Sequence, residues 1–217
     1  MDEIRRVVQR EVILAVSRSI AQLYAPAAVS SRHIHISSSD LERLFGAGYS
    51  LKALRNLAQP DQFACAETMT LVGSRGFIEN VRIVGPVREN TQAEISITDA
   101  FKLGVEPIIR MSGDIKGTPG IKLQGPAGEI MLSCGVIVAA RHLHISEEEA
   151  LIFGIKNGES VCAKKKGARG IVFENVIVRC GKEHRLEFHI DTDEANAANI
   201  VADDLVLIEK LSGRETV

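Results

Sequence analysis

Residues 31–37 read Ser-Arg-His-Ile-His-Ile-Ser, and 109 positions later residues 140–146 read Ala-Arg-His-Leu-His-Ile-Ser. In both copies one apolar residue separates two histidines. Side chains alternate between the two faces of a β-strand, so each copy presents paired imidazoles on one face. The repeated motif therefore predicts two equivalent strands with equivalent histidine pairs.

Two further matches follow the motif in the same order along the chain. Residues 75–81 resemble residues 169–176 through Arg-Gly and Glu-Asn-Val, and residues 94–97 resemble residues 187–190. Three matches in one order indicate two related subdomains, and the period is too long for a solenoid. We place the join within the glycine-rich stretch Ser112–Gly120.

Between these motifs the chain consists of short β-branched runs broken by glycine and other turn residues. This texture predicts antiparallel barrels or sandwiches more than alternating βαβ units. Little helix is expected after residue 29, apart from two short acidic helices, Ser38–Phe45 and Ser146–Phe153, each capped by serine. The expected strands include residues 70–73, 80–85, 93–97, 121–125, 136–145, 170–178 and 205–208.

The first residues differ from the rest. Apolar residues return every three or four positions over residues 3–23, which predicts one amphipathic helix. The small-residue segment 24–28 contains a proline and is interpreted as a linker. The predicted organisation is a helix and linker over 1–25, a first β-barrel domain over 29–115 and a second over 116–217. The predicted fold class is mainly β.

The composition excludes several classes of protein. The 217 residues are 45% hydrophobic and 25% charged, with a net charge of -2. This balance argues against a disordered chain and against a protein that coats nucleic acid. No apolar run reaches about 18 residues, and no signal-peptide pattern follows Met1. A soluble intracellular protein is expected, with no membrane partner.

The histidines are the strongest candidates for chemistry. Four of the six, His33, His35, His142 and His144, occupy matched places in the repeat. One pair alone could be two surface histidines, but two matched pairs favour metal binding, with zinc or a similar metal suited to neutral imidazole. The four cysteines show no C-x-x-C spacing and are interpreted as inert apolar residues.

A third ligand for each metal should come from another strand. The last repeat offers Glu94 in the first half and His189 in the second. The acidic residues Asp191, Asp193 and Glu194 could also be ligands, but we favour a helix start, where carboxylates are common.

Other polar residues accompany the histidines. Arg32 and Arg141 precede the two pairs and are interpreted as structural ion-pair donors. Arg88 could hold an anion bidentately beside a metal, and the loop 110–114 could offer hydroxyl and backbone donors to one. His184 has no counterpart in the repeat and is expected at the surface.

Five motifs together closely resemble the PduL-type phosphotransacylase family, from about Val29 to about Val206: SRHIHIS, GPVRENTQAEIS, RMSGD, VIVAARHLHIS and EFHIDTDEANAA. That family interconverts acyl-CoA plus phosphate with acyl phosphate plus CoA. The sequence departs from the family pattern at Ser31 and Met111.

The resemblance implies two β-barrel domains with short capping helices around a dinuclear zinc site. It implies that one zinc is bound by His33, His35 and Glu94, with the CoA sulfur able to complete its shell, and the other by His142, His144 and His189. Arg88 is then the phosphate-binding arginine, and Ser112 matches a polar position of the active-site loop.

The function implied is therefore a zinc-dependent phosphate acyltransferase acting on propionyl-CoA or acetyl-CoA, with direct attack by phosphate. The alternatives are a zinc-dependent acyl-CoA thioesterase and a non-catalytic metal-binding component of a bacterial microcompartment. The resemblance also implies that residues 3–23 can target the chain to a microcompartment lumen through shell or cargo proteins. A helix that packs on the barrels or at a subunit contact is the other interpretation, and a homo-oligomer is expected.

Overall fold

The computed structural model describes residues 2–211, so Met1 and residues 212–217, the end of the second predicted domain, lie outside the described residues. The elements are α1 (Asp2–Ile20), β1 (Leu23–Ser30), β2 (His33–His35), α2 (Ser38–Phe45), β3 (Ala53–Asn56), β4 (Phe63–Val72), β5 (Phe77–Gly85), β6 (Gln92–Glu94), α3 (Ile97–Leu103), β7 (Ile109–Arg110), β8 (Ile121–Gln124), β9 (Glu129–Leu132), β10 (Val136–Ala139), β11 (His142–Ile145), α4 (Glu147–Phe153), β12 (Ser160–Lys165), β13 (Ile171–Cys180), β14 (Glu187–Asp191), α5 (Thr192–Ala198) and β15 (Leu205–Lys210). The predicted mainly β class is confirmed.

The strands form two sheets in two compact units. The barrel unit consists of residues 2–29, 58–60 and 141–211, and its strands close in the order β1-β14-β11-β13-β12-β15. The sheet unit consists of residues 30–57 and 61–140, and its strands follow the order β7-β10-β6-β2-β5-β4-β8-β9, with β3 paired to β4. Each unit has its own hydrophobic core.

The cores decide which way the histidine pairs face. Ile34, between the two histidines of β2, is 0% exposed in the core of the sheet unit. Leu143 holds the same place in β11 and is 0% exposed in the core of the barrel unit. Because alternate residues point to opposite faces, burial of these apolar side chains turns both histidine pairs away from the cores.

The predicted repeat has a structural counterpart. In each unit the histidine strand lies between a long parallel strand and a short antiparallel one, in the orders β6-β2-β5-β4 and β14-β11-β13-β12. Asn80 and Asn175, matched in sequence, both take the left-handed conformation, with φ of 58° and 57°. Each lies where the register with the neighbouring antiparallel strand shifts, as expected for a β-bulge.

The chain divides elsewhere than at the predicted join within Ser112–Gly120. The strand that precedes each histidine strand pairs in the other unit's sheet: β1 pairs with β15 in the barrel, and β10 pairs with β6. The chain therefore passes from the barrel unit to the sheet unit after residue 29 and returns to the barrel unit after residue 140. These positions differ from the predicted domains 29–115 and 116–217.

Three local predictions are corrected by the structure. Segment 24–28 is part of strand β1 and is not a linker, because its alternating small residues, such as Ala25 and Ala27, bury one face in the barrel core. The pairs β2·β5, β10·β6 and β11·β13 are parallel, so the sheets are mixed and not purely antiparallel. Helix α3 was not expected; Ser96 and Asp99 form a capping box that ends β6 early.

Helices α2 and α4 occur where predicted, with Ser37 and Ser146 as N-caps. Helix α1 occupies Asp2–Ile20, within a few residues of the prediction, and no helix among the described residues is long and apolar enough to cross a membrane.

Helix α1 packs on the barrel unit through one face. Leu14 belongs to the barrel core, and the buried Ser17 hydroxyl accepts a hydrogen bond from the Tyr24 backbone N–H at 3.1 Å. Arg10 donates to the buried Glu149 carboxylate at 2.8 and 3.1 Å, and Glu149 also completes the capping box of α4. The interpretation that the helix packs on the barrel is therefore confirmed for this face.

Leu14→Ala is expected to destabilise the protein by about 2–4 kcal/mol, because it removes a buried side chain at the contact between α1 and the barrel. Leu14 is 4% exposed, whereas Val12 on the same helix is 57% exposed. The matched control Val12→Ala should change stability by no more than about 0.5 kcal/mol. Urea unfolding of both variants measures the difference, and equal effects would show that α1 does not depend on this contact.

Candidate functional site

The first candidate site, called the sheet cluster, consists of His33 and His35 on β2 and Glu94 on β6. The antiparallel register places His33 directly opposite Glu94. The Nε2 atoms of the two histidines are 3.2 Å apart, and they lie 3.6 and 3.5 Å from the Glu94 carboxylate oxygens. Three potential metal ligands therefore lie close together on one face of the strands.

The other ring nitrogen of each histidine contacts a backbone carbonyl. His33 Nδ1 lies 2.9 Å from the Ser31 oxygen, and His35 Nδ1 lies 3.1 Å from the Val84 oxygen. A carbonyl oxygen only accepts hydrogen bonds, so each Nδ1 carries the proton and each Nε2 keeps its lone pair. This is the tautomer that a metal ligand at Nε2 requires.

The protonation states also suit a metal. Burial lowers the pKa of His35, and the charges of His33 and Arg88 act in the same direction, whereas Glu94 opposes them by stabilising the protonated ring. Burial raises the pKa of Glu94, but the neighbouring histidines and the Ser112 hydroxyl outweigh it and hold that pKa well below its usual range. The Glu94 carboxylate is thus held ionised, and burial favours the neutral form of His35.

These donors fit zinc. Zinc–nitrogen and zinc–oxygen bonds of about 2.0–2.1 Å at tetrahedral angles separate neighbouring ligand atoms by about 3.3–3.4 Å. The separations of 3.2 to 3.6 Å in the sheet cluster bracket this value. Two histidines and a carboxylate also form a known three-ligand set that leaves a position for substrate.

Arg88 and Ser112 lie beside the sheet cluster. Arg88 Nη1 donates to the Ser112 hydroxyl oxygen at 3.1 Å. Gln92 Nε2 donates to the same hydroxyl at 3.0 Å and to Glu94 at 2.7 Å, and Gln92 Oε1 accepts from the Gly113 N–H at 2.8 Å. The loop 110–114 is therefore tied to the cluster through Gln92, which the sequence analysis did not single out.

The backbone explains the position of Arg88. Its N–H donates to the Ile36 carbonyl at 2.8 Å, and it forms an isolated bridge with Ser37 at the end of the histidine strand. These contacts fix the Arg88 backbone next to the cluster, and the Arg88 charge contributes to lowering the pKa of His35.

The second candidate site, called the barrel cluster, consists of His142 and His144 on β11 and His189 on β14. His142 lies opposite His189 in the register. The ring centroids of the three histidines are 4.7 to 4.9 Å apart, and their candidate ligand atoms all lie within 4.8 Å of one another. The arrangement repeats that of the sheet cluster, with imidazole in place of the carboxylate.

His144 has an unusual environment. Its Nδ1 is buried and has no hydrogen-bond partner among the described residues. The carbonyl of Arg179, the residue paired with His144 in the sheet, instead contacts His184 Nδ1 at 2.9 Å. Burial, followed by the charges of the surrounding histidines, lowers the pKa of His144 strongly. A buried imidazole nitrogen without a hydrogen-bond partner costs free energy, and the lowered pKa keeps the ring neutral, which is the form that binds a metal.

Two polar residues missed by the sequence analysis adjoin the barrel cluster. The Glu187 carboxylate lies 2.7 Å from His189 Nε2, and Gln59 Nε2 donates to the same carboxylate at 2.9 Å. Glu187 could have been found from its spacing of two residues before His189 in a strand. No sequence signal pointed to Gln59.

The remaining predictions have clear outcomes. Arg32 pairs with Asp99 at 2.8 Å and Arg141 pairs with Glu194, which confirms both as structural ion-pair donors. Asp191 is the N-cap of α5, so these acids start a helix as favoured. His184, expected at the surface, is partly exposed, and one side of its environment is the His144 ring, with centroids 4.5 Å apart.

Comparison with known proteins gives one consistent result. The sequence profile of a family described as phosphate propanoyltransferase matches residues 26–201. A phosphate propanoyltransferase of Thermotoga maritima is 51% identical, over 83% of this chain and 86% of the relative. Proteins of the same name from Citrobacter rodentium and Rhodobacter capsulatus are 52% and 46% identical, over 80% and 86% of this chain and 82% and 86% of their own length. Both clusters lie within the matched residues.

Proposed function

Because this chain belongs to the phosphate propanoyltransferase family and is a phosphate acyltransferase, we propose that it interconverts propionyl-CoA or acetyl-CoA plus phosphate with acyl phosphate plus CoA, using two zinc ions. The observation that carries the proposal is the sheet cluster. Its two histidine Nε2 atoms are 3.2 Å apart, each lies 3.5 or 3.6 Å from a different oxygen of the Glu94 carboxylate, and Arg88 is close enough for its charge to act on His35.

Each cluster holds one zinc ion in this proposal, and both ions serve one reaction, as in the dinuclear site that the resemblance implies. The ligands are His33, His35 and Glu94 in the sheet cluster and His142, His144 and His189 in the barrel cluster. Bound zinc supplies a Lewis acid that stabilises negative charge on the carbonyl oxygen or on the leaving sulfur.

Arg88 binds phosphate. Its guanidinium offers donors in a planar fork that matches two phosphate oxygens, and Ser112 supports one end of that fork at 3.1 Å. A phosphate held there is oriented to form the bond between its oxygen and the acyl carbon, while the carbon–sulfur bond breaks and the electron pair leaves with the CoA sulfur.

The transfer is proposed to be direct, without an acyl-enzyme. Burial raises the pKa of the Cys65 thiol to about 11, and burial also raises the pKa of Cys180, so neither is an activated nucleophile. An acylated cysteine, or a burst of CoA release in the absence of phosphate, would contradict direct attack.

The test is CoA release from propionyl-CoA and acetyl-CoA, measured with and without phosphate on the full chain. Release that requires phosphate and yields acyl phosphate supports the proposal. Phosphate-independent release would replace it with a thioesterase, and bound metal without turnover would replace it with a non-catalytic metal-binding component of a microcompartment.

We further propose that α1 directs the chain into a bacterial microcompartment by binding shell or cargo proteins. The face of α1 that does not contact the barrel carries a stripe of half-exposed or exposed apolar residues: Ile4, Val7, Val8, Val12, Val16 and Ile20. Such a stripe supports docking of a partner helix or groove.

Replacing Val8, Val12 and Val16 together with serine is expected to lower co-purification of the chain with assembled shells at least about tenfold, because apolar contact area is lost at the docking face. Folding should be retained, since all three side chains are about half exposed. Density-gradient sedimentation with shells measures the effect, with Leu151→Ser, an exposed apolar position outside α1, as the control. Unchanged sedimentation would contradict targeting, and a change only in oligomeric size would make the stripe a contact of the expected homo-oligomer.

A further inference from the structure

The short strand that supplies the third ligand in each cluster carries a second polar residue two positions earlier. On β6 this residue is Gln92, opposite His35, and on β14 it is Glu187, opposite His144. Residues two apart in a strand share a face, so each lies beside the third ligand of its own cluster.

The hydrogen bonds at this position are complementary in the two clusters. Gln92 donates from Nε2 to the carboxylate of Glu94 at 2.7 Å, whereas the Glu187 carboxylate accepts from His189 Nε2 at 2.7 Å. A carboxylate ligand thus has an amide donor beside it, and an imidazole ligand has a carboxylate acceptor. Each unit carries the partner that its own third ligand requires.

Gln59 holds Glu187 in place. Its side chain is buried, at 4% exposed, and it lies in the three-residue segment 58–60 that belongs to the barrel unit. Its Nε2 donates to Glu187 at 2.9 Å and to the Arg185 carbonyl at 3.0 Å, and its Oε1 accepts from the Arg185 N–H at 3.2 Å. The oxygen and the nitrogen of the Gln59 amide are therefore both fixed by the Arg185 backbone, and Nε2 also donates to the Glu187 carboxylate.

We propose that Gln59 and Glu187 are positioning residues for His189, Gln59 fixing the Glu187 carboxylate and Glu187 fixing the ring orientation and tautomer of His189. The inference rests on the proposed zinc ion of the barrel cluster. A histidine ligand whose second nitrogen bonds a carboxylate is a more basic and better oriented donor, and loss of such a carboxylate commonly costs about 10–100-fold in metal affinity.

The experiment measures zinc affinity in full-length variants by competition with a chromogenic chelator, together with the visible absorption of the cobalt-substituted protein. Glu187→Gln keeps the shape of the side chain but removes its charge. Gln59→Glu keeps the shape but replaces the donor with a carboxylate that repels Glu187. Glu129→Gln, the same chemical change at an exposed position of β9, is the matched control.

We expect Glu187→Gln to weaken the binding of one of the two zinc ions about 10–100-fold, and Gln59→Glu to weaken the binding of the same ion about tenfold or more. The cobalt spectrum should change in both variants, and the affinity for the other ion should stay the same. Both zinc dissociation constants within twofold of wild type, in variants that fold normally, would overturn the inference while leaving the proposed function standing. If His142→Ala also leaves the zinc content unchanged, the barrel cluster holds no zinc and the proposed function fails as well.

Discussion

Replacing His142 with alanine is expected to remove one of two zinc ions per chain and to lower kcat/KM for acyl transfer by about a thousandfold or more. His142 lies opposite His189 in the β-sheet register and is one of three ligand candidates in the barrel cluster. Two remaining histidines hold zinc poorly, and the several kcal/mol that a Lewis acid contributes to the transition state convert to at least a thousandfold in rate.

The matched variant is His33→Ala, which should remove the other zinc ion and also abolish turnover. The double variant of His33 and His142 should bind no zinc. His184→Ala replaces the one histidine outside both clusters and should retain two zinc ions. Metal content by mass spectrometry and steady-state kinetics give the result. Full activity in either single variant would mean that its cluster does not serve the reaction.

Replacing Arg88 with alanine is expected to lower kcat/KM for phosphate by about 10²–10³ while two zinc ions stay bound. The reason is loss of a charged, two-pronged donor to the attacking anion, comparable to removal of a preorganised donor from other acyl-transfer sites. The KM for acyl-CoA should change little, because Arg88 is assigned to phosphate alone.

Arg88→Lys separates charge from shape. Lysine keeps the positive charge but loses the planar fork, so an intermediate loss is expected. Arg43→Ala, which removes an exposed arginine from α2, is the control and should leave the kinetics unchanged. Loss of zinc in Arg88→Ala, or an unchanged KM and kcat for phosphate, would contradict the assignment.

The site was predictable from sequence where it depends on strand periodicity. The spacing of His33 and His35 by one residue dictates a shared face, and the buried Ile34 between them settles which face that is. The last repeat then suggested Glu94 and His189, although it aligned Glu94 with Glu187. The antiparallel register corrects that alignment by two residues, since Glu94 and His189 each lie opposite the first histidine of their pair.

The unpredicted features depend on pairing between distant segments. Segment 24–28 resembled a linker because its proline and small residues are poor strand formers, but pairing with β15 makes it a barrel strand. Gln59 is identified only by its hydrogen bond to Glu187, 128 residues away in sequence. A local sequence pattern does not predict a partner at that separation.

Stepwise zinc loading of chelator-treated protein, with acyl phosphate formation followed at each step, tests whether two zinc ions are required for acyl transfer. We expect no turnover without metal and activity that rises until two zinc ions are bound per chain, after which further zinc has no effect. Full phosphate-dependent turnover in the metal-free protein, or saturation at a single zinc ion, would contradict that requirement.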